Sequence, residues 1–464
     1  MLFKYAKMML AAMAVISFMV DHAALAQSWP AWRGAERDGH VRDFTVPEVW
    51  PDSLQKIWRV EVGAGLSSPV LQGDRLYVLT RDGDNEVVSA YSTQDGRRIW
   101  QQSYAASFVP NPQAIVPRFF PVSSGKGPFA TPLLAGDKLY TLGVDRMLSC
   151  FEAESGKVLW QQHLLKQQLP DKLVYECAPC GCREDGKEFD QPGACSACGM
   201  TLGPKGIETT ATQGRGNYYG AAASPIADGQ SGFVNIGNPA GSDVLAFDLA
   251  TGAEKWRWRG PAPSSSSPVI AELHGVRQLV VLTRTNLVGL ALDDGRELWH
   301  FDISSNAQIV TPIVFESTIL FSAYRSPTTS VKISKTPNGW SAVQAWSTND
   351  VTLYTSTPVL ISDHVFGLSY ANRGQLFAMD ARTGEQLWAG SGRFAQGAAI
   401  LSSGNVLLAL TNEAKLVVFA RDTDRYRQLA QYTVAEQPTW AHPILWDNNI
   451  VVKDEATLTL WRLE

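Results

Sequence analysis

Cysteine is almost missing from this 464-residue chain: there are six, and five of them fall between Cys177 and Cys198. No disulfide framework can span the rest, so most of the chain must be held by an apolar core. Histidine is also sparse, at seven, and none stands in an H-x-x-x-H or H-E-x-x-H array; no G-x-S-x-G elbow occurs. These absences leave zinc-peptidase and serine-hydrolase chemistry without a basis, and no catalytic residue is assigned. Neither sign of charge dominates, with 40 Lys+Arg against 45 Asp+Glu and a net charge of −5. That balance argues against a nucleic-acid partner. Sustained helical periodicity is lacking, and no apolar run is long enough to span a bilayer.

The one extended apolar stretch, Met8 to Val20, follows Lys4 and Lys7 and precedes Ala24-Leu25-Ala26. This is the layout of a secretory signal. Residues 1–26 are read as a signal peptide cleaved after Ala26, which predicts a periplasmic or secreted protein. Residues 27–53 follow as an N-terminal arm carrying Trp29-Pro30-Ala31-Trp32-Arg33-Gly34, whose tryptophans suit packing across whatever comes next.

What the chain has in plenty is Gly (38), Pro (25) and Trp (15), which suit short strands and tight turns. They are arranged in a repeat. Gly96, Gly156, Gly252, Gly295 and Gly384 are each followed by a tryptophan in the same register: Trp100, Trp160, Trp256, Trp299 and Trp388. A small residue precedes each turn at a fixed distance, namely Ala90, Cys150, Ala246, Gly289 and Ala378. Alternation before and after each turn predicts a hairpin, with the small residue marking close strand approach and the tryptophan packing on a neighbouring unit.

A second marker sets the period. An alcohol-bearing residue, a proline and an aliphatic residue open successive units at Ser68-Pro69, Thr131-Pro132, Ser224-Pro225, Ser267-Pro268, Thr311-Pro312 and Thr357-Pro358, with weaker copies at Ala398 and His442-Pro443. Units of about 40 to 45 residues are the size of a four-stranded propeller blade. The fifth and seventh units are degenerate, with Trp346 and Tyr432 taken as standing at the tryptophan position. The last unit lacks a fourth strand, and the segment around Trp58 supplies one. The prediction is an all-β, eight-bladed β-propeller over residues 54–464, closed by its N-terminal strand joining the last blade. A monomer is expected.

Two excursions interrupt the units. Residues 103–129 contain Arg118, Phe119 and Phe120 among several prolines; a long loop of this kind suits a partner surface. The second, a Cys-rich insert at 170–210 between blades two and three, holds Cys177-x-x-Cys180 and Cys195-x-x-Cys198. Gly181 and Gly199 stand where each knuckle must bend. Paired C-x-x-C motifs at this spacing suit a tetrahedral four-thiolate site. Cys182 and Met200 are candidate additional ligands. Zinc, copper(I) and iron all fit such donors, and in an oxidising compartment disulfides would staple the same insert.

The repeat A-x-D-x-x-T-G-x-x-x-W, as in Ala246 to Trp256 and Ala378 to Trp388, resembles the tryptophan-docking repeat of the pyrroloquinoline quinone (PQQ)-like propellers. That superfamily includes quinoprotein alcohol dehydrogenases and the non-enzymatic BamB-type assembly lipoprotein. The dehydrogenases typically carry two adjacent cysteines over the quinone, and none are adjacent here, so PQQ is not expected. The insert is similar to a small heavy-metal-binding domain in Tyr175, Cys177, Cys195, Cys198, Gly199, Met200 and Leu202, with Cys180 where that family has His. The resemblances imply the propeller fold and do not fix its function; with the loops and the cysteine spacing, the reading is an exported propeller, with no enzymatic site assigned, that binds protein partners through loops 103–129 and 170–217 and carries a metal-stabilised module. The alternatives are a periplasmic handler of copper, silver or zinc, and a PQQ-dependent dehydrogenase.

Overall fold

The computed structural model describes residues 28–109, 125–165, 172–177, 179–205, 220–237, 242–261, 264–303 and 309–463. Arg118, Phe119 and Phe120 of the first excursion, and residues 206–217 of the second, lie outside the described residues. Among the described residues nine antiparallel sheets are formed: one of five strands, seven of four and one of three. A single 3₁₀ turn at Ala371–Arg373 is the one helical element among them. This is an all-β protein of the propeller type.

One unit illustrates the rest. Val359–Ile361, His364–Ser369, Gln375–Asp380 and Gln386–Ala389 pair in sequence order as an antiparallel sheet. The first three strands of a unit are apolar on both faces because neighbouring sheets cover both; in the seventh unit every residue of Val406–Thr411 is buried. Fourth strands alternate with solvent, as in Val158–His163.

The small residues of the repeat stand directly opposite its tryptophans. Ala90 pairs with Trp100, Cys150 with Trp160, Ala246 with Trp256, Gly289 with Trp299 and Ala378 with Trp388, each beside a β-bulge. The small side chain leaves room, and the bulge turns the indole toward the next sheet. There most of the rings lie on the turn glycine of the following unit. A methyl group on Gly156 would come within 2.5 Å of the Trp100 ring, and one on Gly295 within 2.4 Å of the Trp256 ring. Both glycines also hold positive φ, 73° and 70°, so glycine serves the turn and the socket together.

A second seam runs along the first strands and explains the alcohol-Pro marker. The Ser224 hydroxyl accepts from the Thr131 amide at 3.0 Å, Ser267 from the Ser224 amide at 2.9 Å, Thr357 from the Thr311 amide at 3.2 Å, and Ser68 from the His442 amide at 2.8 Å. Each bond joins one unit to the next and satisfies a buried amide that the following proline's strand start would otherwise leave open.

The strand Gln55–Glu61 pairs with Thr457–Arg462, placing Trp58 opposite Leu460 in the sheet that contains the C-terminal strand. In the seventh unit the bulge position is held by Val418 opposite Ala430, not by Tyr432, which faces Leu416. The bulky and small residues are exchanged there, so no ring is presented at that point. Tyr432 instead reaches back to donate its hydroxyl to the Pro51 carbonyl at 2.8 Å.

Candidate metal centre and central cavity

The insert has a small sheet of its own, with Tyr175–Glu176 between Glu188–Phe189 and Gly203–Pro204. Its apolar cluster is minimal: Tyr175, Cys177, Cys195 and Leu202, with Leu173, Cys182, Phe189 and Met200 packed against it. So little buried area cannot hold a fold of this size without a staple. The two knuckles turn at Gly181 and Gly199, with φ of 77° and 70°, and the second is closed by the Gly199 amide donating to Cys195 at 2.8 Å and the Cys195 amide donating to Met200 at 2.7 Å.

Five sulfurs converge. Cys177 Sγ lies 3.9 Å from both Cys180 and Cys182 and 3.5 Å from Cys198; Cys180 is 3.7 Å from Cys198, and Cys182 is 3.9 Å from Cys195. A tetrahedron of thiolates with metal–sulfur bonds of about 2.3 Å has an edge of about 3.8 Å, and disulfide sulfurs would lie at about 2 Å. Thiols at this spacing could hold an ion. Two four-residue groups have mutual separations within 4.8 Å: Cys177, Cys182, Cys195 and Cys198, and Cys177, Cys180, Cys182 and Asp185. Cys177 and Cys195 are buried, Cys182 is half-buried, and Cys180 and Cys198 are exposed. Burial and the neighbouring thiols raise the Cys177 pKa, whereas the Met200 amide lowers that of Cys198 to about 7. Met200 packs beside the group.

Asp185 has no counterpart in the spacing argument. It accepts from the Gly181 amide at 2.5 Å and the Cys180 amide at 3.2 Å, and from the Cys180 and Cys182 thiols at 3.3 and 3.5 Å. The available signal was an acidic residue three positions beyond Cys182, a distance suited to capping the knuckle amides.

A second site lies where the first strands meet. A cavity of about 190 Å³ is lined by Leu66, Phe129, Ala222, Ser265, Ile309 and Thr355, and also by Trp440 and the arm's Trp32. Every one of these but Trp32 precedes the alcohol-Pro position of its own unit by two residues, so one repeat position faces one shared space. The arm reaches it by pairing Ser28–Trp29 with Leu71 and Gln72. Arg33 and Arg37 then donate to carbonyls of several units: Arg33 to Thr357 at 2.8 Å and Pro358 at 2.7 Å, Arg37 to Pro225 at 2.6 Å. Their guanidinium carbons lie 5.6 and 5.8 Å from the Trp32 ring. Burial lowers the Arg33 pKa to about 10 and the Arg37 pKa to about 9. The arm's tryptophans stand out in its sequence, but the arginines of its W-R-G-x-x-R do not, and it is these that clasp backbone carbonyls at the alcohol-Pro positions of several units.

The cavity tests the quinone reading. Its described lining includes Tyr354, Ser224 and Ser267 but no carboxylate to hold a calcium ion and no cationic side chain to face carboxylates. It is also smaller than the roughly 300 Å³ at which pockets for drug-sized ligands begin. Among the described residues, this lining offers no charged partner for a tricyclic tricarboxylate.

A sequence profile described as outer membrane protein assembly factor BamB matches residues 84–176 and 207–390. The interruption falls on the Cys-rich insert. No curated protein matches the chain at a significant level. Among solved structures, BamB from Moraxella catarrhalis aligns with a TM-score of 0.55 at 13% identity, over 88% of this chain and 100% of that one. The computationally designed Ika8 protein aligns with a TM-score of 0.56 at 8% identity, over 88% and 100%. Quinohemoprotein alcohol dehydrogenase from Comamonas testosteroni aligns with a TM-score of 0.46 at 14% identity, over 94% and 80%.

Proposed function

The chain belongs to the family described as outer membrane protein assembly factor BamB, and on that premise we propose that it is an exported, closed eight-bladed propeller that works by binding protein partners. The reading includes cleavage of residues 1–26, an arm at 27–53, partner contacts through loops 103–129 and 170–217, and a module at 170–210 stabilised by a soft metal ion, zinc first. Closure is supported by contacts from the last sheet to the first: Trp58 donates to Thr93 at 2.9 Å and His442 to Ser68 at 2.8 Å. The metal is supported by one observation above the others, five cysteine sulfurs linked by five separations of 3.5 to 3.9 Å in an insert with almost no core.

The test is elemental analysis with a thiol count on mature protein purified from the exported fraction without added metal. About one zinc per chain with protected thiols is expected; no metal and few free thiols would replace the ion with disulfides. Reconstitution with PQQ and calcium followed by dye-linked alcohol oxidation addresses the enzyme alternative, and absence of turnover is expected. Activity there would overturn the binding reading.

A further inference from the structure

Five thiols are one more than a tetrahedral ion needs, and the two four-ligand groups differ in a consistent way. The inner group, Cys177, Cys182, Cys195 and Cys198, contains both buried cysteines of the insert together with exposed Cys198; the outer group replaces buried Cys195 and exposed Cys198 with exposed Cys180 and exposed Asp185. Cys177 and Cys182 belong to both. We propose that the module is a two-position relay, in which a thiophilic d10 ion is taken up on the outer group and held on the inner one. The proposal rests on the metal reading above and adds a route to it.

The transfer keeps two bonds throughout. An ion bound by Cys177, Cys180, Cys182 and Asp185 retains its bonds to the Cys177 and Cys182 sulfurs. Its bonds to Cys180 Sγ and the Asp185 oxygen break as bonds to Cys195 Sγ and Cys198 Sγ form. Protons on the Cys195 and Cys198 thiols leave to solvent, the released Cys180 sulfur takes one up, and no electron changes hands. The shared pair spares the ion a fully solvated stage. Asp185 suits the outer position because its carboxylate already lies against both candidate thiols, 3.3 Å from Cys180 and 3.5 Å from Cys182, and an oxygen donor holds a soft ion less firmly than a thiolate.

The experiment uses mature full-length protein and zinc alone. Zinc is loaded, its affinity is set by competition with a chromophoric chelator, and its release is followed by stopped flow. Asp185→Asn and Cys180→Ser are expected to slow uptake and release about tenfold while leaving affinity within about twofold, and Cys195→Ser to lower affinity by about a hundredfold or more. If Cys180→Ser lowers affinity as much as Cys195→Ser, Cys180 is a holding ligand and the relay is wrong. Unchanged rates in both outer variants would also overturn it. Failure of the unsubstituted protein to bind zinc at all would instead remove the metal reading, and the relay with it.

Discussion

Trp58 rests on Gly96, with its ring 2.9 Å from where a methyl group on that glycine would stand, and its indole donates to the Thr93 carbonyl at 2.9 Å. Trp58 belongs to the sheet that holds the C-terminal strand, whereas Gly96 belongs to the first. This contact repeats, between the sheet that holds the C-terminal strand and the first sheet, the seam found between successive units. Trp58→Ala is expected to cost about 3 to 5 kcal/mol, the range for truncating a buried tryptophan, in equilibrium urea unfolding. A loss below about 1 kcal/mol would mean that the last and first sheets are not coupled through this ring.

The seams are not equal. Trp100 donates its indole to the Ala153 carbonyl at 2.9 Å, whereas the buried Trp160 nitrogen has no partner among the described residues. Phenylalanine keeps most of the ring and removes the donor. Trp100→Phe should therefore cost more than Trp160→Phe by about 1 to 2 kcal/mol, the scale of a buried acceptor left unpaired. Denaturation midpoints of the two variants at matched m-values make the comparison.

Glu86 is fully buried, accepting from Tyr104 at 2.9 Å and the Val144 amide at 2.8 Å, with Arg81 at 3.7 Å. Burial raises its carboxyl pKa from 4.5 to about 7. The folded chain thus holds this proton more tightly than the unfolded chain. The resulting stability is fully present below about pH 4.5 and is lost as pH rises through about 7. His442, lowered from 6.5 to about 3 by burial, works in the opposite sense, with stability lost as pH falls below 6.5. Comparing the unsubstituted protein with Glu86→Gln cancels the histidine. Their stability difference should shift in favour of the variant by about 3 kcal/mol between pH 4.5 and 7.5, at about 1.4 kcal/mol per pKa unit. A flat difference across that range would show that the carboxyl titrates normally.

Cys177 belongs to both ligand groups and to the core of the insert. Cys177→Ser is expected to remove the bound ion and unfold the insert while leaving the propeller sheets in place, because those sheets have separate cores. Metal content near zero with unchanged far-ultraviolet β-sheet circular dichroism is the expected pair of results. Global loss of sheet signal would contradict a modular insert.

The four-stranded units were legible because two markers, the turn glycine with its tryptophan and the alcohol before proline, each perform a job that only a few residue types can do. A socket for an indole excludes every side chain, and a hydroxyl acceptor beside a strand start needs Ser or Thr. Where the job is done differently the pattern misleads. Tyr432 looked like the seventh tryptophan, yet Ala430 occupies the register, since Val418 had already filled the space opposite. The cysteine cluster was legible from spacing, but spacing cannot rank Cys180 against Cys182, because two thiols separated by a single glycine reach the same centre. Arg33 and Arg37 were opaque for another reason: their partners are backbone carbonyls, which leave no mark in a sequence.

The pairing of Gln55–Glu61 with Thr457–Arg462 also imposes an order of events on folding. Synthesis begins at the N-terminus, so this strand emerges among the first and must wait for a partner that comes among the last. Throughout that interval it is an unpaired edge carrying Trp58, the kind of segment that recruits foreign strands. Final assembly is a contact between the most distant parts of the chain, and such contacts form slowly. Truncation near the C-terminus would therefore do more than shorten the last sheet: it would leave Gln55–Glu61 without a place to go.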